Sequence, residues 1–318
     1  MPNQLPLWSE RPSRPKTGTI LVGTASWTDA SLLKCGRFYP PEAKTPEARL
    51  RFYASQFPVV EVDTTYYGIP AVDNAIRWAE WTPDDFRFDV KAFRVFTLHQ
   101  TPLASLPPEV REQAEGLANE KGNVYYPDLP TEVTDELWAR FEDSLRPLRD
   151  AGKLGYVLLQ FPPWAMKRQS NLEHVEACAD RLSDYTVAIE FRNRTWMEDG
   201  DQRETLAYLR ERNLALVIVD EPQGFSSSIP PVWEVTSPDL AVVRFHGRNR
   251  ETWTKKGLKS SADRFDYLYS EEELRDFVDP IKALAGEARQ VHAIYNNNQQ
   301  DYAQRNAQQL AQMLERLL

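Results

Sequence analysis

Apolar residues along this chain gather into short runs, separated by longer stretches in which they recur every three or four positions. The runs are TILVGTASW ending at Trp27, VVEVDTTYY at Tyr67, FRFDVKAF at Phe93 and LGYVLLQFPP at Pro163, then TVAIEFRN at Asn193, LALVIVDEP at Pro222, LAVVRFHGR at Arg248 and VHAIYNNN at Asn298. Each has strand length and is rich in Val, Ile, Leu or Phe, the composition of strands covered on both faces. Amphipathic helical patterns fall between most of them. Thr45-Pro46-Glu47 reads as an N-cap followed by Pro at the first helical position, with Leu50, Tyr53 and Ala54 on one face. Further helices are predicted near 72–81, 134–148, 171–182, 202–212, 271–284 and 302–317.

Eight strands alternating with helices predict a TIM-type (β/α)8 barrel. An open doubly wound sheet is the rival, but no strand is followed by a glycine-rich phosphate loop. Two stretches depart from the regular alternation. A long insertion, 97–129, follows the third strand, and 222–238, with its prolines and serines, stands where the sixth helix belongs; both are expected to shape the mouth. Residues 1–18, rich in Pro, Ser and Arg, are expected to form a flexible N-terminal tail, and 19–318 one barrel domain.

Composition narrows the partners. Over 318 residues the formal net charge is −9, which disfavours direct nonspecific DNA binding, because that affinity comes from Lys and Arg neutralising phosphates. Cys35 and Cys178 are the only cysteines and lack metal-ligand spacing, so a cytoplasmic protein is expected. No apolar run approaches the roughly 20 residues that span a bilayer, and the N-terminus lacks the basic-then-apolar order of a signal peptide.

Barrel chemistry gathers at the C-terminal ends of strands, and these ends are polar here. The first run ends in Ser26-Trp27. The second carries Glu61, Asp63 and Thr65 at alternate positions, hence on one face of a strand. The others bring Asp89 and Lys91, Gln160, Glu190 and Arg192, Asp220, Arg244 and His246, and finally Asn296 and Asn298. Charged groups in apolar strands are costly unless paired or hydrogen-bonded, so their concentration points to a shared polar cavity. Pairs such as Glu61 with Lys91, or Glu190 with Arg244, read equally well as ion pairs that stiffen the barrel. Trp27, Tyr67, Trp196 and Tyr295 are stacking candidates or plain core. His246 stands at a strand end; His99, His174 and His292 read as loop, helix and mid-strand residues.

The segments GTASWTD, FYP, VEVDTTYYGIP, LLQFPP, AIEFRN-x-x-W, RFHGRN, FDYLYS and YNNN resemble the motifs of the YecE-like family, domain of unknown function 72, over nearly the whole globular part. The resemblance implies a TIM-type barrel and assigns no activity. Its motifs fall on Trp27, Glu61, Thr65, Tyr67, Lys91, Gln160, Glu190, Arg192, Trp196, Asp220, Arg244, His246, Arg248, Asn296 and Asn298.

Three functional readings follow. In the first, a hydrolase, lyase or isomerase acts on a small polar or anionic ligand. Lys91, Arg192, Arg244 and Arg248 hold its phosphate or carboxylate, Gln160, Asn296 and Asn298 add hydrogen bonds, and Glu190 with His246 trades protons, with Lys91 also a catalytic candidate. In the second, Glu61, Asp63, Glu190, Asp220 and His246 hold Mg²⁺ or Mn²⁺ for a phosphoesterase or isomerase. The third rests on Gln4-Leu5-Pro6-Leu7-Trp8, which resembles the peptide by which bacterial replication and repair proteins dock on the sliding clamp; Leu7 and Trp8 are its apolar anchors and Gln4 its polar cue.

Overall fold

Strands β1 (Thr19–Ala25), β2 (Val59–Val62) and β3 (Arg87–Lys91) lie in one sheet with the later strands β6 (Leu154–Gln160), β7 (Val187–Glu190), β8 (Ala215–Asp220), β9 (Leu240–Phe245) and β10 (Gln290–Tyr295). In the computed structural model, which describes residues 17–198, 200–258 and 260–316, these eight close in the order β1-β10-β9-β8-β7-β6-β3-β2, every neighbouring pair parallel. Every residue of β2, β7, β8 and β9 is buried, because side chains inside fill the barrel while those outside meet helices. The open-sheet alternative is thereby excluded.

The helices follow the predicted signals. Thr45 caps Pro46–Gln56 by accepting a hydrogen bond from the Ala48 backbone, and Ser270 and Glu273 form a reciprocal cap on Glu271–Glu287. In that second helix Leu274, Phe277, Val278, Ile281, Leu284 and Ala285 are buried at three- and four-residue spacing, an apolar stripe that docks on the barrel. Burying each large side chain contributes about 1.5–3 kcal/mol. Among the described residues, no helix is long and apolar enough to cross a membrane.

The insertion after β3 contains a two-stranded antiparallel ribbon, β4 (Thr101–Pro102) with β5 (Asn123–Val124), and a short helix, Pro108–Ala114. The stretch between β8 and β9 has no helix, as its prolines imply. A third irregular stretch, between β9 and the helix at Glu271, contains, among the described residues, only the single helical turn Ser261–Arg264. Its Arg264 and Phe265 reach the mouth. Gly18, placed in the tail by the sequence, donates its backbone N–H to Ala285 at 2.6 Å and so belongs to the barrel's rim. Gln4, Leu5, Leu7 and Trp8 lie outside the described residues.

Below the mouth, Asp89 accepts from His292 Nδ1 at 2.8 Å, both wholly buried. Gly155 makes room for them: a Cβ there would stand 2.1 Å from Asp89 Oδ1. His292 is thus a mid-strand residue, as expected, but one half of a buried polar pair.

Candidate ligand-binding site at the barrel mouth

Glu190 ends β7 and is completely buried. Its Oε1 accepts from Gln160 Nε2 at 2.8 Å, Arg192 Nη1 at 3.0 Å and His246 Nε2 at 3.1 Å, while Oε2 accepts from Arg244 Nη1. Burial alone would push this carboxyl upward, but Arg244, His246 and Arg192 together outweigh it and hold Glu190 well below the usual carboxylate range. A group so placed stays ionised at neutral pH. The ion pair with Arg244 read from the sequence is formed.

Arg244 also donates through Nη2 to Glu61 Oε1 at 2.5 Å. One guanidinium charge between two carboxylates cannot compensate both. Glu61 has a further 3.5 Å contact from the Tyr156 hydroxyl; burial, with the neighbouring Asp63 carboxyl adding to it, outweighs Arg244 and Lys91 and pushes Glu61 up to about 8. Glu221, the residue after β8, is likewise pushed up to about 7 by burial despite Arg192, whose Nη2 lies 3.7 Å from it.

His246 follows β9 directly. Burial and the nearby arginines, against the pull of Glu190, hold the imidazole down to about 4, so it is neutral. Because Glu190 only accepts, Nε2 carries the proton, and Nδ1 accepts from Asn296 Nδ2 at 3.0 Å. Both ring nitrogens are engaged. In this arrangement His246 holds Asn296.

Above this buried layer lies a cavity of about 250 Å³. Lys91, Arg192 and Arg264 bring positive charge to its wall, with Asp63 the acid among its lining residues. Lys91 Nζ stands 3.7 Å from Asp63 and 4.6 Å above the Tyr66 ring. Arg192 lies over Trp253, at 4.9 Å. Arg264 donates to backbone carbonyls of its own loop, those of Trp253 and Lys255. Gln160, Asn296, Asn298 and Tyr67, all foreseen, also line the cavity.

Other foreseen residues lie elsewhere. β2 stops at Val62, so Asp63 and Thr65 do not alternate along a strand; a 3₁₀ turn spans Thr64–Tyr66. The Thr65 hydroxyl lies within hydrogen-bonding distance of the Val62 and Lys91 carbonyls, tying that turn to β3. Asp220 is held by Arg248 at 2.7 Å and by the Tyr269 hydroxyl at 2.7 Å, and Arg248 reaches on to Glu273 at 3.1 Å, so neither lines the cavity. Trp27 packs edge-on against Trp78; Trp196 stacks on Phe191 and donates to the Ala165 carbonyl; Tyr295 stacks on Phe245. All three are core. Among the described residues, no group of three or more His, Cys, Asp or Glu side chains is arranged to hold a metal. The expected cluster is dispersed: Arg244 stands between Glu61 and Glu190, while Arg248 and Tyr269 occupy Asp220.

The residues that sequence missed are His99, Tyr66, Arg264 and Phe265, all lining the cavity. Burial holds His99 down to about 3, with Lys91 and Arg94 acting in the same direction, so it is neutral. It reaches the cavity through a left-handed turn at Leu98, φ 64°, a conformation uncommon outside glycine. Tyr66 alone carried a signal, beside Tyr67 in the second run.

A family whose description is "Protein of unknown function DUF72" matches residues 21–317. Protein YunF of Bacillus subtilis (strain 168) is 30% identical over 298 residues, 93% of this chain and 95% of that protein. YecE of Escherichia coli (strain K12) is 26% identical over 203 residues, 63% of this chain and 59% of YecE. A DUF72 family protein from Enterococcus faecalis V583, solved by crystallography, is similar with a TM-score of 0.75 at 29% identity, covering 93% of this chain and 96% of that one. A DUF72 family protein from Thermotoga maritima MSB8 aligns with a TM-score of 0.72 at 28% identity, over 93% and 99% of the two chains.

Proposed function

The chain belongs to the DUF72 family, whose description assigns no reaction, and we propose that its barrel mouth binds a small molecule bearing a phosphate or carboxylate. The observation that carries this reading is the charge of the cavity wall: Lys91, Arg192 and Arg264 against Asp63. The acids beneath do not cancel that field at neutral pH. Glu190 is matched by Arg244, while burial keeps Glu61 mostly protonated and Glu221, at about 7, about half protonated. Guanidinium groups present forked donors suited to such oxyanions. At about 250 Å³ the cavity is smaller than the roughly 300–1,000 Å³ that accommodates drug-sized ligands, which favours a compact ligand.

Within this reading Lys91 and Arg192 hold the anionic group, Asn296 and Asn298 orient the rest, and Glu190, Arg244 and His246 form the rigid support beneath. The Mg²⁺ or Mn²⁺ reading has less support, since Arg244 engages Glu61 and Glu190, Arg248 engages Asp220, and His246 is held by Glu190 and Asn296.

Calorimetric titration of the purified protein with inorganic phosphate at pH 7 tests the proposal. Saturable one-site binding, weakened at least about tenfold in Lys91→Met by loss of a charge-assisted contact, supports it. Absence of saturable binding, or equal affinity in the variant, refutes it. Docking of residues 4–8 on the sliding clamp rests on sequence alone and has its own test. A peptide of residues 1–12 should bind the clamp and lose that binding when Leu7 and Trp8 become Ala.

A further inference from the structure

Around the barrel the polar groups of the mouth divide into two sectors. Arg192, Gln160 and Lys91 come from the adjacent strands β7, β6 and β3, and Asn296, Asn298 and Asp63 from the ends of β10 and β2, which flank β1. The first sector presents cationic donors. The second presents acceptors, because both amide nitrogens are turned into the protein: Asn296 Nδ2 to His246 Nδ1 at 3.0 Å, and Asn298 Nδ2 to Asp29 Oδ2 at 3.5 Å. Their oxygens are left over. Asn298 Oδ1 and Asp63 Oδ1 are buried and accept no hydrogen bond, although Lys91 Nζ stands 3.7 Å from the latter. Buried acceptors are seldom left unsatisfied in folded proteins, and each such exception calls for an explanation.

From this arrangement we infer that the ligand is a polyhydroxylated anion, a sugar acid or sugar phosphate, with its charged group toward β7, β6 and β3 and its hydroxyls donating to Asp63, Asn296 and Asn298. This rests on the anion-binding reading and goes beyond it by requiring hydroxyl donors on the ligand. A fully deprotonated oxyanion such as sulfate has only acceptors, and phosphate at pH 7 has at most two hydroxyls on one atom, so neither spans the second sector; a neutral polyol would forgo the first. Non-polar surface suited to the C–H face of a sugar comes from Pro162, Pro163, Phe265 and Tyr67, which border the same cavity. Tyr67 is 58% exposed, so its ring is available at the rim.

The test pairs ligands that differ only in hydroxyls: gluconate with hexanoate, and sorbitol 6-phosphate with hexyl phosphate, with inorganic phosphate and neutral sorbitol as references, all titrated calorimetrically against the full chain. Each hydrogen bond gained is worth roughly two- to tenfold in affinity. With three such bonds, the hydroxylated member of at least one pair should therefore bind about eightfold or more tightly than its partner, and the tighter pair identifies carboxylate or phosphate as the head group. Equal affinities within both pairs, with inorganic phosphate still saturating the site, overturn the hydroxyl inference and leave the anion reading standing. Failure of phosphate and all four anions to bind overturns both. Sorbitol binding as tightly as its phosphate also removes the anion reading. Asn298→Ala should lower the within-pair ratio by about threefold or more; an unchanged ratio removes Asn298 from the acceptor set.

Discussion

Asn296 Nδ2 lies 3.0 Å from His246 Nδ1, and through that contact a buried charge determines which atom of an amide faces the cavity. Ionised Glu190 takes the Nε2 proton of the imidazole, Nδ1 is left to accept, and Asn296 turns its nitrogen inward and its oxygen outward.

His246 should therefore remain neutral, protonated on Nε2, throughout the physiological range. Its value is lowered from 6.5 to about 4, so between those two the unfolded chain binds a proton that the folded chain does not, and stability is lost as pH falls from 6.5 towards 4. Nitrogen chemical shifts of the imidazole, followed from pH 8 to 5, should not move. A titration centred near 6.5 would contradict the assignment.

Glu190 and Glu61, both partners of Arg244, should respond oppositely to amide substitution. Glu190→Gln leaves a buried guanidinium short of its matching charge and should cost about 3–5 kcal/mol. Glu61→Gln mimics the protonated form that its raised value already favours at pH 7, and should cost less than about 1 kcal/mol. Chemical denaturation of both variants makes the comparison; equal losses would mean that Glu61 is ionised.

Arg192→Ala should weaken phosphate binding at least about tenfold, removing a charge-assisted donor from the cavity wall. Glu190 keeps three donors, Gln160, His246 and Arg244, so the loss of stability should stay near 1–2 kcal/mol, on the scale of one hydrogen bond. Calorimetry and denaturation together test this; a variant that binds phosphate normally would remove Arg192 from the site.

Anion affinity should fall as pH rises from 6 to 9. Glu221 and Glu61, raised to about 7 and about 8, ionise over that interval and place negative charge beside Arg192 and Lys91. The same shifts act on folding: between the unfolded value near 4.5 and these raised values the folded chain keeps protons that the unfolded chain has released, so this contribution to stability is lost as pH rises. Sulfate, whose charge is constant in this range, is the suitable probe. Its affinity should decline several-fold, and less so in Glu221→Gln; a flat profile in the parent protein would mean that neither acid titrates there.

The barrel was legible because strands buried on both faces leave unbroken apolar runs, and Gln160, Glu190 and Arg244 stood out as polar interruptions at their ends. Direction was not legible. Nothing in the spacing of Asp63 and Thr65 distinguishes a continuing strand from the 3₁₀ turn that hydrogen bonds from the Thr65 hydroxyl help to hold. Asp220 ends its strand just as Glu190 does, yet Tyr269 and Arg248, distant in sequence, draw it into a separate network. Arg264 and Phe265 belong to an irregular stretch without periodicity, and His99 depends on one left-handed residue, Leu98.

The most direct test of the anion site is diffraction from crystals of the protein soaked in tungstate, a tetrahedral oxyanion with strong anomalous scattering. The expected result is an anomalous peak in the cavity, its oxygens within hydrogen-bonding distance of Lys91 Nζ and the Arg192 guanidinium. A cavity without a peak, at a concentration that fills sites elsewhere on the molecule, would contradict the account.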